Sequence, residues 1–247
     1  MGTDALTFLT RLRAILARTG EATVWRGDAT PAADWETRAQ GIRAIAPGRW
    51  EELLPRFETE LEAVAGRLHR ATPAAVPGLV SRIAQERQLS RVVTWSEAAL
   101  GVEGLLATLR AEGLQVEDGS ENRDRDQYLG MDQGFRDALD RAEIGLTGVD
   151  HAVAESGSLI IMSGAGRARL VSCLPVVHVA LLRAGQLLDT WEEVGVLLEA
   201  LHRLDGFAKS QSSITFITGP SRSADIEFSL TRGVHGPREV HVIALDR

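Results

Sequence analysis

The chain is poor in the residues that most simply announce a chemistry. Among 247 residues there is one cysteine, Cys173, and one lysine, Lys209, so the other 26 basic residues are arginines. A single cysteine forms no intramolecular disulfide and cannot alone ligate an iron–sulfur cluster, which usually needs four thiolates. A single lysine leaves Lys209 as the one Schiff-base candidate and excludes a P-loop, because no Gly-Lys-Ser/Thr triplet exists. No apolar run of about 18 residues is present, so no membrane span is expected. Positive charge is also in deficit. The net charge of −7 argues against a nucleic-acid backbone as partner. Residues 1–20 read as an amphipathic helix with Asp4, Arg11, Arg13 and Arg18 among its apolar positions, not as a secretory segment, and the expected location is the cytoplasm.

The composition that is there is globular, with 44% apolar and 25% charged residues. The length suits one large α/β domain with an appended segment. Residues 1–88 read as a helical segment packing on the core. Leu6, Leu9, Leu12, Ile15 and Leu16 share one helical face. Residues 20–35 read as an irregular loop. Trp50, Leu53, Leu54, Phe57, Leu61, Val64 and Leu68 predict a long amphipathic helix. Thr72 and Pro73 open a third, with Val76, Leu79, Val80 and Ile83 inward.

From 89 to 247 the pattern becomes α/β. Strands are predicted at 91–95, 114–116, 144–147, 158–162, 176–182, 213–218 and 239–245. Helices are predicted from Ser96 to Gly113, around 132–142, and at 191–204, the last opened by a Thr190–Glu193 capping box. Residues 117–126 read as an exposed charged loop. Continuous apolar strands alternating with helices imply a Rossmann-like, mostly parallel sheet covered on both faces.

In such sheets ligands gather at the carboxyl ends of the strands, which directs attention to the loops after them. The stretch 145–158, GLTGVDHAVAESGS, sets Asp150, His151 and Glu155 among apolar residues and turn-forming glycines. Asp150 and Glu155 read either as catalytic acid, base or nucleophile or as groups satisfying backbone amides. The stretch 218–227, TGPSRSADIE, offers Gly219, Ser221, Arg222, Ser223 and Asp225. It reads either as a helix opening or nest that cradles an anion, with Arg222 supplying a planar fork, or as a serine-capped surface turn. His235 lies between glycines before the last strand and can enter a cleft as a catalytic base or simply occupy a turn. His178, within an apolar strand, is either an anion-binding group or a hydrogen-bonded core residue. Gly164-Ala165-Gly166 lacks the third glycine of a dinucleotide fingerprint, Ser221 is not in a nucleophile elbow, and Cys173 reads as a buried thiol. Scattered histidines without paired spacing give no metal site.

Taken together and in order, GLTGVDHAVAESGSLI (145–160), LPVVHV (174–179) and ITGPSRSADIEFSLTRGVHGPREVHVIALD (217–246) resemble the LUD-domain family, in particular its lactate-utilization branch. Ser156, Ser158 and Ser223 stand where that family often has threonine, which retains the hydroxyl. The resemblance implies a fold similar to the NagB/RpiA/CoA-transferase group, with the LUD domain over 89–247. It implies participation in oxidising L-lactate to pyruvate as a subunit of an oxidoreductase complex. Iron–sulfur clusters would belong to partner lactate-utilization subunits, with no cofactor in this chain and a small carboxylate as ligand. By analogy with the wider fold group, Asp150 and Glu155 are the acidic candidates and Gly219–Arg222 the anion cradle. Sugar-phosphate isomerases of that group use a lysine in a glycine-rich loop, whereas Lys209 lies elsewhere. Two other readings stand beside this one: a stand-alone CoA-transferase-like enzyme with Glu155 as nucleophile, and a non-catalytic module that binds an organic acid or docks partners.

Overall fold

A computed structural model describes residues 32–119, 133–203, 211–224, 230–232 and 235–246. The expected helix near the start of the chain, Lys209 and Asp225 lie outside these residues.

Among the described residues two helices come first, α1 (Ala32–Ile45) and α2 (Trp50–Ala63). The apolar stripe of α2 runs through Trp50, Leu53, Leu54, Phe57 and Leu61, all buried, as its spacing requires. The helix then stops short of the predicted Leu68. Ala65 adopts a left-handed φ of 66°, and the Gly66 amide turns back to the Leu61 carbonyl at 2.8 Å. A Cβ at Gly66 would lie 2.3 Å from the Leu61 side chain, so glycine allows this reversal. The chain leaves it as a strand, β1 (Arg67–Ala71), where periodicity alone continued the helix.

After α3 (Val76–Glu86) and β2 (Arg91–Thr94), the single helix expected from Ser96 to Gly113 is two, α4 (Glu97–Leu100) and α5 (Leu105–Ala111). Gly101 and Gly104, at φ 61° and 73°, break it. Ser96 caps α4 as expected, its Oγ accepting the Ala99 amide. The Glu97 carboxylate accepts the Gly104 and Leu106 amides at 2.7 and 3.3 Å and so caps α5. β3 (Gln115–Asp118), α6 (Gln133–Arg141), β4 (Ile144–Gly148), β5 (His151–Val153), β6 (Ser158–Gly164), β7 (Val177–Arg183) and β8 (Leu187–Leu188) follow. Then come α7 (Trp191–Arg203), β9 (Gln211–Ile217), β10 (Arg222–Ala224), β11 (Leu230–Arg232) and β12 (Glu239–Leu245). At the start of α7 the capping box is half made. Thr190 Oγ1 accepts the Glu193 amide, but the Glu193 carboxylate takes the Asp189 amide and Arg49.

Six strands form one parallel sheet in the order β1-β12-β7-β4-β2-β3. The succession reverses between β2, which is followed outward by β3, and β4, which is followed the other way by β7 and β12. In open parallel sheets such a reversal marks where ligands gather, here the carboxyl ends of β2 and β4. The mostly parallel α/β sheet agrees with the sequence reading. A second sheet, β8-β5-β6-β9, is mainly antiparallel. It has its own small core, in which Val153, Ile160 and Leu188 meet Trp35 and Ala39 of α1 and Val194 and Leu197 of α7. No helix among the described residues is long and apolar enough to cross a membrane.

Candidate functional site

Three short connections meet at these strand ends. β2 runs into Trp95, whose amide donates to the Leu146 carbonyl of β4 at 3.1 Å and whose indole Nε1 donates to the Ala168 carbonyl at 3.2 Å. β4 runs into Asp150. β6 runs into Gly164-Ala165-Gly166-Arg167, a tight turn closed by mutual backbone bonds between Gly164 and Arg167. This turn holds the incomplete glycine fingerprint, and its work here is to deliver Arg167. The Gly166 carbonyl accepts the Ser96 amide at 2.9 Å, and a Cβ at Gly166 would lie 2.7 Å from Ser96 Oγ.

Arg167 lies over the Trp95 ring, 4.5 Å from its centroid, and donates to Asp150 Oδ2. The same oxygen accepts the Met162 amide at 2.7 Å. Both bonds fall on Oδ2 of Asp150. The Arg167 Nε is buried and has no hydrogen-bond partner. A carboxylate, a guanidinium and an aromatic face thus meet at the strand ends, where the fold concentrates ligands.

The other predicted residues lie elsewhere. Glu155 sits at the far end of β5 from Asp150, separated by a three-residue strand or about 10 Å. Its Oε1 accepts the Trp191 amide at the start of α7. Beyond it, Ser156, Ser158 and Thr218 form a hydroxyl chain with O···O distances of 2.9 and 2.7 Å. His178 is fully buried in β7, its Nε2 2.9 Å from Thr147 Oγ1, and burial lowers its pKa to about 4. His151 is largely enclosed on β5, lowered to about 4 by burial, with no partner at Nδ1.

In the Gly219–Ser223 stretch, read either as a helix opening or nest or as a serine-capped turn, the residues from Arg222 on are extended. Arg222, Ser223 and Ala224 are strand β10, paired antiparallel with β11, and Arg222 stands opposite Arg232. The Ser221 amide is spent on the Pro237 carbonyl at 2.9 Å. Gly219 has φ 75°, and a Cβ there would lie 2.3 Å from the Val64 carbonyl oxygen. Arg222 is exposed, and His235 is exposed in the turn before β12. Pro237 precedes β12 and Val64 precedes β1, so this stretch lies at the amino ends of the parallel strands. The loop follows β9, which belongs to the antiparallel sheet, and the carboxyl-end rule does not apply to it. The structure brings Ser221 beside Gly236 but keeps both about 20 Å, the length of β7, from Asp150.

Sequence reasoning missed Arg167, which the antiparallel pairing of β5 with β6 brings to Asp150, and Trp95, which follows β2 and lies under Arg167. It also missed a relay on the sheet's edge. His69 Nε2 lies 2.9 Å from His241 Nδ1, His241 Nε2 lies 3.2 Å from Glu239, and Arg87 donates to Glu239 at 2.7 and 2.9 Å. Arg87 holds Glu239 down at about 2, while burial lowers His241 to about 4.

Comparison with known proteins now adds a relationship to this geometry. The LUD domain model matches residues 54–245. Lactate utilization protein C of Halalkalibacterium halodurans is 32% identical over 170 residues, 68% of each chain. Lactate utilization protein B of Shouchella clausii is 36% identical over 105 residues, 42% of this chain and 20% of that one. A DUF162-family protein from Deinococcus radiodurans, known from its crystal structure, shares the fold with a TM-score of 0.53 at 22% identity, covering 79% of this chain and 98% of that one.

Proposed function

The chain belongs to the LUD-domain family, and from that premise we propose that it is a lactate utilization subunit that takes part in oxidising L-lactate to pyruvate. The observation that carries this reading is the 32% identity to a lactate utilization protein C across two thirds of both chains. Oxidation at the hydroxyl-bearing carbon of lactate releases two electrons and two protons. In this reading the two protons would leave to solvent and the two electrons would pass to iron–sulfur clusters of partner proteins, since Cys173 alone cannot hold a cluster. What this chain's residues contribute is a polar crevice at the strand ends. Asp150 fixes Arg167 against Trp95, which leaves a charged, half-enclosed wall facing the ligand. Acyl transfer through Glu155 fits less well, because that carboxylate caps α7.

The test is genetic and biochemical. Deleting the gene should abolish growth on L-lactate, and the tagged chain should co-purify with cysteine-rich proteins. Unchanged growth together with no co-purifying partner would overturn the reading.

A further inference from the structure

Arginine carries nearly all the positive charge of this chain, and its distribution is informative. Arg49, Arg87 and Arg167 are half-buried, and each faces a carboxylate, on Asp189 and Glu193, on Glu239, and on Asp150 respectively. Arg183 is half-buried too, but among the described residues it faces none. Its one side-chain bond runs from Nη2 to the Leu100 carbonyl. A half-buried guanidinium that faces no carboxylate keeps donors free to meet an anion. Burial accordingly lowers the Arg183 pKa.

The position is equally telling. Arg183 is the last residue of β7, at the carboxyl end of the sheet, in the rim that holds Asp150. Its backbone is fixed. The Arg183 amide donates to Gln186 Oε1 at 2.8 Å, and Gln186 Nε2 donates to the Val149 carbonyl beyond β4. The guanidinium lies against Gly101, where a Cβ would sit 2.6 Å from Nη2. Leu100 and Gly101 end α4, while Ser96 at its other end touches the Gly166–Arg167 turn. Four helical residues rise about 6 Å. Arg183 and the Asp150–Arg167 pair therefore lie toward opposite ends of α4, about 6 Å apart along its axis.

We infer that Arg183 is the anion anchor of the crevice and takes the carboxylate of a short organic acid, whose remaining atoms extend toward Asp150 and Arg167. The planar fork suits a carboxylate's two oxygens. The inference rests on the proposed function for the identity of the acid and stands apart from it for the charge.

Thermal shift and calorimetry on the full chain, with L-lactate, pyruvate and acetate as probes and lactamide as the uncharged control, test it. The carboxylates should raise the melting temperature and lactamide should not. Arg183→Gln should weaken carboxylate binding at least tenfold, Arg183→Lys should retain part of it, and Arg222→Ala should bind as wild type. The unliganded melting temperature of each variant reports its folding independently. Equal Kd for wild type and Arg183→Gln, equal binding of lactate and lactamide, or no carboxylate binding by wild type would each overturn the anchor. If Arg183→Gln loses carboxylate binding while the deletion strain still grows on lactate, the anchor stands and the lactate reading falls. If the deletion strain fails to grow and Arg183→Gln restores growth fully, the reverse holds.

Discussion

The two rims of the parallel sheet use similar-looking sequence for opposite purposes. At the amino rim and the helix end beside it, glycines allow backbone to press on backbone. A Cβ at Gly145 would lie 1.8 Å from the Val171 carbonyl oxygen, one at Gly157 would lie 2.3 Å from the Leu61 nitrogen, and Gly219 abuts Val64. At the carboxyl rim, charged side chains lean over short turns, with Arg167 on Trp95 and Arg183 on Gly101. A glycine-rich loop is thus no guide to ligand approach by itself. What separates a cradle from a clamp is whether the space above the glycine is filled by the protein.

This contrast can be broken by substitution. The largest effect should come from Gly157→Ala, where backbone contact and a φ of 61° both oppose a Cβ. A loss of about 3 kcal/mol or more is expected in urea unfolding, with the carboxyl rim unaltered in design. A change below about 0.5 kcal/mol would mean the clamp is loose.

Acid titration should have a comparable but graded effect. His178 is neutral in the fold, with a pKa of about 4 against an ordinary value of 6.5. Between these values the unfolded chain binds more protons, so stability falls as pH drops from 6.5 to 4 and levels off below. His178 alone contributes on the order of 3 kcal/mol, and His178→Gln should flatten that part of the pH profile. Glu239 works in a lower window. Its pKa of about 2 means that its pairing with Arg87 is intact above 4.5 and is lost as pH falls toward 2.

Asp150→Asn should cost about 2 kcal/mol, because it weakens the bonds from Arg167 and the Met162 amide. The loss should be reduced in an Arg167→Gln background, which a double-mutant cycle measures. The smallest effect belongs to Arg222→Ala. Exposed on β10, it should change stability by less than about 0.5 kcal/mol.

Much of the fold was legible because one-dimensional patterns carried it. The stripe Val76, Val80 and Ile83, the helix at 191–203 and the strand at 239–245 all follow their periods. β1 was hidden because Arg67, His69 and Arg70 offer no apolar run, and Val64 and Leu68 continue the spacing of α2. β5 was hidden inside a glycine-rich stretch. For the candidate site, Asp150 stood out as an acid among apolar residues. Arg167, 17 residues away, is brought near it by the antiparallel pairing of β5 with β6, and Trp95, 55 residues away, by the pairing of β2 with β4, neither of which local pattern encodes. Arg222 drew attention through its neighbours, while Arg183 at the end of an apolar strand drew none.

The place of β12 has a consequence for how the molecule comes into being. This strand lies between β7 and β1, and β1 reaches the sheet through it alone. A chain emerging from the ribosome therefore carries residues 67–71 unpaired until residues 239–245 have been made. Cleavage just before Glu239 would leave the same gap, with the flank of β7 open for another chain to fill. Assembly of the parallel sheet is in this sense an event that follows synthesis, and the interval before it is when the protein is most exposed to mispairing.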